Sequence, residues 1–370
     1  MHVTIGIVNV QMGKCALCGE ESNYISSFLR VCRSCIIDKP ERALEITDER
    51  HAQSRTRFSL SYPEPSQGVE CGLCGNNCRI GEGDVGFCGL KRNQKGRLLR
   101  PKELVAEAYY DPHPTNCVPM QFCGASGVGY PKYSYTVGRE VGYDNLSIFC
   151  VGCSYDCSFC QNWHYREMVN RKENYEISKQ EFDSMIHERV SCICFFGGDP
   201  CVQLDKISEY CKEVEGKNRI LRFCLETSGN FNKNLLKEFA EISLRSGGGI
   251  KFDLKFWNPD LNKAVTGVNN HASYECFKML GDLNRERVEV PFLRASTLLV
   301  PGYVTPSEVE RIAKFISDTS SEIPYSLLAF SASFEMKSLP PTPRKLAYEC
   351  KKRAQKYLEQ VKIGNKWLLT

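Results

Sequence analysis

Three cysteines, Cys153, Cys157 and Cys160, fall within eight residues in the run Cys153-Ser154-Tyr155-Asp156-Cys157-Ser158-Phe159-Cys160. Thiolates at this spacing can wrap one small metal centre, and an iron–sulfur cluster suits them because thiolates ligate its irons. A complete cubane takes four ligands, so a three-cysteine loop leaves one iron free to coordinate something else. A zinc knuckle completed by Cys150, or a set of buried free thiols, is the plainer reading of the same residues.

Two more cysteine groups stand upstream. Cys15-Ala16-Leu17-Cys18 is followed, 13 residues on, by Cys32-Arg33-Ser34-Cys35. Paired C-x-x-C knuckles at this separation predict a structural tetrathiolate zinc ribbon, with a rubredoxin-like iron site as the alternative. Cys71, Cys74, Cys78 and Cys88, interleaved with glycines, can also fold around a metal, either zinc or a second iron–sulfur cluster. Cys117, Cys123 and Cys150 lie near these groups and are candidates to complete a second cluster. Cys192, Cys194 and Cys201 bracket a strand and read as buried small hydrophobes.

The chain has 370 residues, of which 21 are cysteine, an odd number that cannot pair completely. A chain of this length can bury a core without covalent staples, so a disulfide scaffold is not expected. Hydrophobic residues make up 42% and charged residues 25%, ordinary for a soluble globular protein. A net charge of +4 is too mild to call for a nucleic-acid partner. No apolar run is long enough for a membrane helix, and MHVTIGIVNVQMGKCALC lacks a basic start, so neither membrane association nor a signal peptide is expected. The expected location is the cytoplasm, where thiols stay reduced.

These groups must be held by elements that alternate. LSIFCV, CICFFGG, IKFDLKF, VPFLRASTLLVP and PYSLLAF read as strands. ISKQEFDSMIHERV (with Ser178 as its N-cap), NKNLLKEFAEISLRS, TPSEVERIAKFISD and PRKLAYECKKRAQKYLEQ read as helices. The alternation predicts an α/β fold, a partial TIM-like barrel of parallel strands preceded by cysteine-rich metal-binding modules. The expected organisation is a zinc-ribbon-like module over 1–40, a linker with one short helix over 41–68, a cysteine-rich accessory module over 69–135 and a core domain over 136–370.

The motif C-x-x-x-C-x-aromatic-C, with Phe159 in the aromatic slot, resembles the signature of the radical S-adenosylmethionine (radical SAM) superfamily. The resemblance covers roughly Asn145 to the C-terminus and is nearest to the pyruvate formate-lyase activating enzymes. It implies a 4Fe–4S cluster on Cys153, Cys157 and Cys160 whose fourth iron chelates the methionine part of S-adenosylmethionine. Reductive cleavage of that cofactor would give a 5′-deoxyadenosyl radical that abstracts hydrogen from a substrate. Gly197-Gly198-Asp199-Pro200 resembles the family's GGE-like motif. Glu226-Thr227-Ser228-Gly229 is similar to a D-T-[SN]-G strand end, and Asp253-Leu254-Lys255 to a D-L-K motif. The resemblance implies that Gly197, Gly198, Asp199, Glu226, Asp253 and Lys255 line the cofactor site. Val265-Thr266-Gly267-Val268, Arg294 and Val300-Pro301-Gly302 also fit the branch, as turns and packing. The segment Leu327-Leu328-Ala329-Phe330-Ser331-Ala332-Ser333 departs from it, lacking the histidine of the related L-L-P-Y-H. Cys160-Gln161-Asn162-Trp163 and the upstream C-x-x-C-x-x-x-C stretch are similar to the AmmeMemoRadiSam-like sub-branch.

The expected function is therefore that of a radical SAM iron–sulfur oxidoreductase, with no residue assigned a catalytic role. Its partners would be a low-potential electron donor and a protein or small-molecule substrate, a glycyl-radical protein among the candidates. The competing reading is a non-enzymatic zinc-ribbon adaptor for nucleic acid or protein. It would carry zinc only, and it leaves the Cys153–Cys160 group and the Gly197-Gly198-Asp199-Pro200 and Asp253-Leu254-Lys255 motifs unexplained.

Overall fold

The computed structural model describes residues 12–115, 117–216 and 219–370. Nine strands form one sheet. In chain order they are β1 (Leu104–Pro112), β2 (Asp144–Cys150), β3 (Glu176–Ile177), β4 (Val190–Gly197), β5 (Arg222–Thr227), β6 (Ile250–Asp253), β7 (Leu293–Leu299), β8 (Tyr325–Ala329) and β9 (Val361–Gly364). In space the order is β9-β8-β7-β6-β5-β4-β2-β1-β3. From β2 through β4 to β9 every pairing is parallel. β1 pairs antiparallel with β2 and with β3. The edges β3 and β9 do not meet, so the sheet is an open, partial barrel.

Among the helices are α1 (Arg33–Asp38), α2 (Pro40–Thr56), α3 (Lys179–Ser184), α4 (Leu204–Val214), α5 (Lys233–Ser246), α6 (Pro259–Thr266), α7 (His271–Met279), α8 (Pro306–Thr319) and α9 (Arg344–Ala354), with shorter turns of helix at Tyr165–Val169 and Gly281–Glu286. Parallel strands need such crossovers, and covering by them explains why every residue of β2 is buried. α8 shows how the sequence builds one. Thr305 caps its first turn by accepting from Glu308 N, Pro306 fits the first position, and Val309, Ile312, Ala313 and Ile316 make the buried stripe. α3 is shorter than the pattern over 177–190 suggests. Ser178 and Glu181 form its capping box, but the chain turns over Met185 to reach β4 at Val190.

The stretch read as a linker holds α2, 17 residues long. Its buried residues are Ala43, Thr47, His51, Ser54 and Arg55, so the helix buries a mostly polar face and carries no apolar period to read. That face has partners. His51 Nδ1 lies 2.8 Å from Asp156 Oδ2, and Arg55 Nη1 lies 3.3 Å from Asp156 Oδ1. The N-terminal segment is also tied to the strand ends. Tyr303 Oη accepts from Ser26 N and donates to Val31 O, each at 3.0 Å.

Candidate active site

The loop after β2 is pinned from both sides. Gly198 N donates to Cys150 O at 2.9 Å and Asp199 N to Gly152 O at 2.8 Å. On the other side Asp156 N donates to Thr266 O at 2.8 Å and Ser158 N to Val265 O at 3.0 Å. The Val265-Thr266 motif thus supplies carbonyls that hold the three-cysteine loop. Gly197 has φ +110°, and a Cβ on Gly198 would lie 2.2 Å from Gly152 O. Both glycines are required by this close approach of strand end and loop.

A cavity of about 190 Å³ opens where the loop meets the C-terminal ends of the strands. Cys153, Cys157 and Cys160 line one side of it. Gly197, Gly198 and Asp199 follow from the end of β4, Glu226 from β5, and Asp253 and Lys255 from the end of β6. Every residue expected in the cofactor site or in the third cysteine group therefore faces one space. Cys150 does not line it. It follows Phe149 on β2 and so points to the opposite face, with its Sγ 4.0 Å from Ile148 O.

Asp199 is 2% exposed and fully engaged. It accepts from Thr227 Oγ1 at 2.7 Å, Ser228 N at 2.8 Å and Cys201 N at 3.0 Å. It joins the ends of β4 and β5 and shapes the cavity wall. The charged wall is built by Lys251, which the sequence reading missed. Its Nζ lies 3.0 Å from Glu226 Oε2 and 3.3 Å from Asp253 Oδ1. Lys251 stands two residues before Asp253 on one strand, so both project to the same face. Lys255 Nζ lies 3.7 Å from Asp253 Oδ2. Burial would raise the Asp253 carboxyl, but Lys251 and Lys255 outweigh it and hold it below its usual range. Adjacent acid and ammonium groups suit a zwitterionic ligand. From the segment that lacks the related histidine, Leu328 lines the cavity beside Leu298, while Ser331, at the histidine's place, does not.

Asp156 was also missed. It is 1% exposed and accepts from Arg166 Nη2 at 2.8 Å as well as from Arg55 and His51. Burial alone would raise its pKa, yet Arg166, Arg55 and His51 push it well below the carboxylate range. Trp163, next to the third cysteine, stacks on Phe334 with ring centroids 5.8 Å apart and does not line the cavity.

The cysteine groups differ in spacing. Cys15, Cys18, Cys32 and Cys35 bring their sulfurs within 4.8 Å of one another, alone among the described residues. Cys18 Sγ and Cys32 Sγ are 3.8 Å apart. A tetrahedral ion with bonds of about 2.3 Å to sulfur needs an edge of about 3.8 Å, so this quartet fits one metal ion. Burial opposes ionisation of Cys15, but N–H groups of Cys32, Cys18 and Leu17 bring its pKa down to about 6. Neither Cys153, Cys157 and Cys160 nor Cys71, Cys74, Cys78 and Cys88 is gathered so tightly. That excludes a preformed one-ion knuckle made with Cys150 and fits a cluster, which spreads its thiolates over several irons. Burial pushes the Cys157 thiol up to about 12, so binding metal must displace its proton. The second group docks against the site, with Asn76 Nδ2 donating to Ser154 O at 2.8 Å and Gly75 N to Asn230 O at 2.9 Å.

Residues 147–316 match the model of the Radical SAM superfamily. That segment, a little under half of the chain, is a radical SAM domain, which supports an enzyme of the radical SAM kind. A protein of Methanocaldococcus jannaschii, provisionally named a glycyl-radical enzyme activating enzyme, is 25% identical over 233 residues, which is 59% of this chain and 80% of that protein. An uncharacterized protein of the same organism is 23% identical over 302 residues, 80% of this chain and 81% of the relative. Among solved structures, Streptococcus suis SuiB is matched at 14% identity with a TM-score of 0.38, over 59% of this chain and 47% of that one. SuiB bound to S-adenosylmethionine is matched at 13% with a TM-score of 0.33, over 50% of this chain and 38% of that one. The chain thus spans less than half the length of that protein in both structures. No described helix is long and apolar enough to cross a membrane.

Proposed function

We propose that the protein reductively cleaves S-adenosylmethionine and uses the resulting radical to abstract hydrogen from a substrate, as a member of the activating-enzyme-like branch. The observation that carries this reading is the convergence of the three-cysteine loop and three downstream motifs on one cavity. A 4Fe–4S cluster on Cys153, Cys157 and Cys160 would supply the electron that breaks the sulfonium bond. The chain's own part is orientation. Asp253 and Lys255 present opposite charges to the amino and carboxylate ends of a bound amino acid, while the backbone at Gly197 and Gly198 gives it room. Leu298 and Leu328 keep that part of the wall apolar.

The N-terminal quartet takes zinc in this proposal, and the wider-spaced Cys71, Cys74, Cys78 and Cys88 take a second metal, with a polynuclear centre favoured over a single zinc. The modules 1–40 and 69–135, the helix-bearing segment 41–68 between them, and the core 136–370 remain the proposed organisation. A low-potential donor provides the electron, in a reducing cytoplasm. A glycyl-radical protein is the proposed substrate, supported by the name of the M. jannaschii relative. The test is anaerobic reconstitution with a strong reductant and S-adenosylmethionine. Release of 5′-deoxyadenosine by the wild type and its loss in Cys157→Ala are expected, and a Cys157→Ala variant that retains cleavage would overturn the reading.

A further inference from the structure

A second cavity, of about 250 Å³, lies deeper in the barrel and shares Phe196 and Glu226 with the first. The period of two along each strand creates it. Cys194 sits two residues before Phe196 on β4, and Cys224 two before Glu226 on β5, so each points to the same face one layer down. Cys117 and Cys123, from the segment after β1, close the chamber from the other side. Four thiols from three parts of the chain thus surround one space.

Hydrogen bonding does not account for this gathering. Thiols are weak donors and acceptors, and poor at recognising an organic ligand. Among the described residues the Cys224 thiol meets only the backbone of Gly249, and Cys123 donates to Met120 O at 3.0 Å. A fifth thiol, Cys192, is held by His113 Nε2 at 3.3 Å and Arg222 Nη2 at 3.5 Å, and is left out of the set.

An independent observation is Arg294, on β7. It lines the chamber and is 3% exposed. Its Nη2 donates to Phe122 O at 3.3 Å, its Nε has no partner, and no carboxylate pairs with it among the described residues. The other cations here are neutralised, Arg222 by Glu140 and Lys251 by Glu226 and Asp253. A buried guanidinium without a counter-charge is costly unless an anionic group occupies the space beside it.

We propose that this chamber holds an iron–sulfur cluster ligated by Cys117, Cys123, Cys194 and Cys224, with Arg294 as its buried counter-charge. The four sulfurs are not within the 4.8 Å of one another that marks the N-terminal quartet, so they are not set for a single ion, whereas a polynuclear centre spreads its thiolates over several irons. Soft thiolates select such centres, and binding replaces four protons with metal. Glu226 accepts from Cys117 Sγ at 3.6 Å and pairs with Lys251, so the chamber borders the upper cavity through one side chain.

The test is iron and sulfide quantitation on the full chain after anaerobic reconstitution. Cys194→Ser/Cys224→Ser is expected to lose at least about two irons and two sulfides per chain, the content of the smallest such cluster. It should keep the zinc of the N-terminal quartet and the spectrum that S-adenosylmethionine perturbs. Cys117→Ser/Cys123→Ser, in the covering segment, should give the same loss if the first pair fails to fold. A Cys192→Ser control should lose none. Arg294→Gln should change the spectrum or reduction potential of the retained iron. Unchanged iron and sulfide in a folded double variant would overturn the proposal, whether the chamber then proves to take zinc without sulfide or a small organic anion. The outcome is separate from that of Cys157→Ala, which reads the upper cluster alone.

Discussion

Replacing Asp156 by Asn removes one charge and almost no volume from the centre of the three-cysteine loop. The carboxylate faces Arg166 at 2.8 Å, Arg55 at 3.3 Å and His51 at 2.8 Å, with both arginine side chains no more than 1% exposed. Asn can still accept hydrogen bonds but cannot balance two buried guanidinium groups. Breaking a buried pair on one side costs about 3–5 kcal/mol, because the remaining charge is stranded. That is a large part of a typical domain stability of about 5–15 kcal/mol. At about 2 °C per kcal/mol for a chain of this size, the melting midpoint should fall by about 6–10 °C. The pH dependence has a definite sign. The folded carboxyl titrates below its unfolded value of about 3.9, so its contribution is complete above that pH and lost only as pH falls through the depressed folded value. The gap between wild type and variant should therefore be constant from about pH 5 to 8 and close only in strong acid. Thermal denaturation of anaerobic protein, with iron content measured in parallel, is the assay. A loss below about 1 kcal/mol with normal iron retention would refute the reasoning.

Three further outcomes follow from the geometry. Gly198→Ala places a methyl 2.2 Å from Gly152 O, so the loop must move; S-adenosylmethionine binding should fall at least about tenfold by isothermal titration, equivalent to about 1.4 kcal/mol. Tyr303→Phe leaves Ser26 N and Val31 O without their partner and should cost about 1–3 kcal/mol in denaturant unfolding, with faster proteolysis of the N-terminal segment. Cys18→Ser should reduce bound zinc per chain on metal analysis, while the iron that responds to S-adenosylmethionine remains.

Much of the upper site was legible because its chemistry is local. The Cys153–Cys160 loop, Gly197-Gly198-Asp199 and Asp253-Leu254-Lys255 are contiguous runs, and a strand end brings each to the same rim. Lys251 was hidden because a lysine inside a strand reads as solvent-facing until β6 is known to border a cavity. α2 was hidden for a related reason. Its partners at Asp156 lie about a hundred positions away, and polar residues buried against a distant charge leave no apolar stripe. The same parity could have found the chamber. C-x-C on β4 and R-x-C-x-E on β5 put alternating residues on one face, yet Cys192 and Cys194 read as buried small hydrophobes. Cys194 and Cys224 continue inward the face that ends at the cofactor cavity.

Arg55 touches more than the loop. Besides Asp156 it donates to Phe87 O, one residue before Cys88, and to Ser61 O at 2.7 Å, and it rises from a helix that begins five residues after Cys35. One side chain is thus a shared keystone for the three-cysteine loop and the second cysteine group, both expected to carry metal. A core excised at residue 136 would lack that keystone, leaving Arg166 and Asp156 to hold the catalytic loop without the other half of their network.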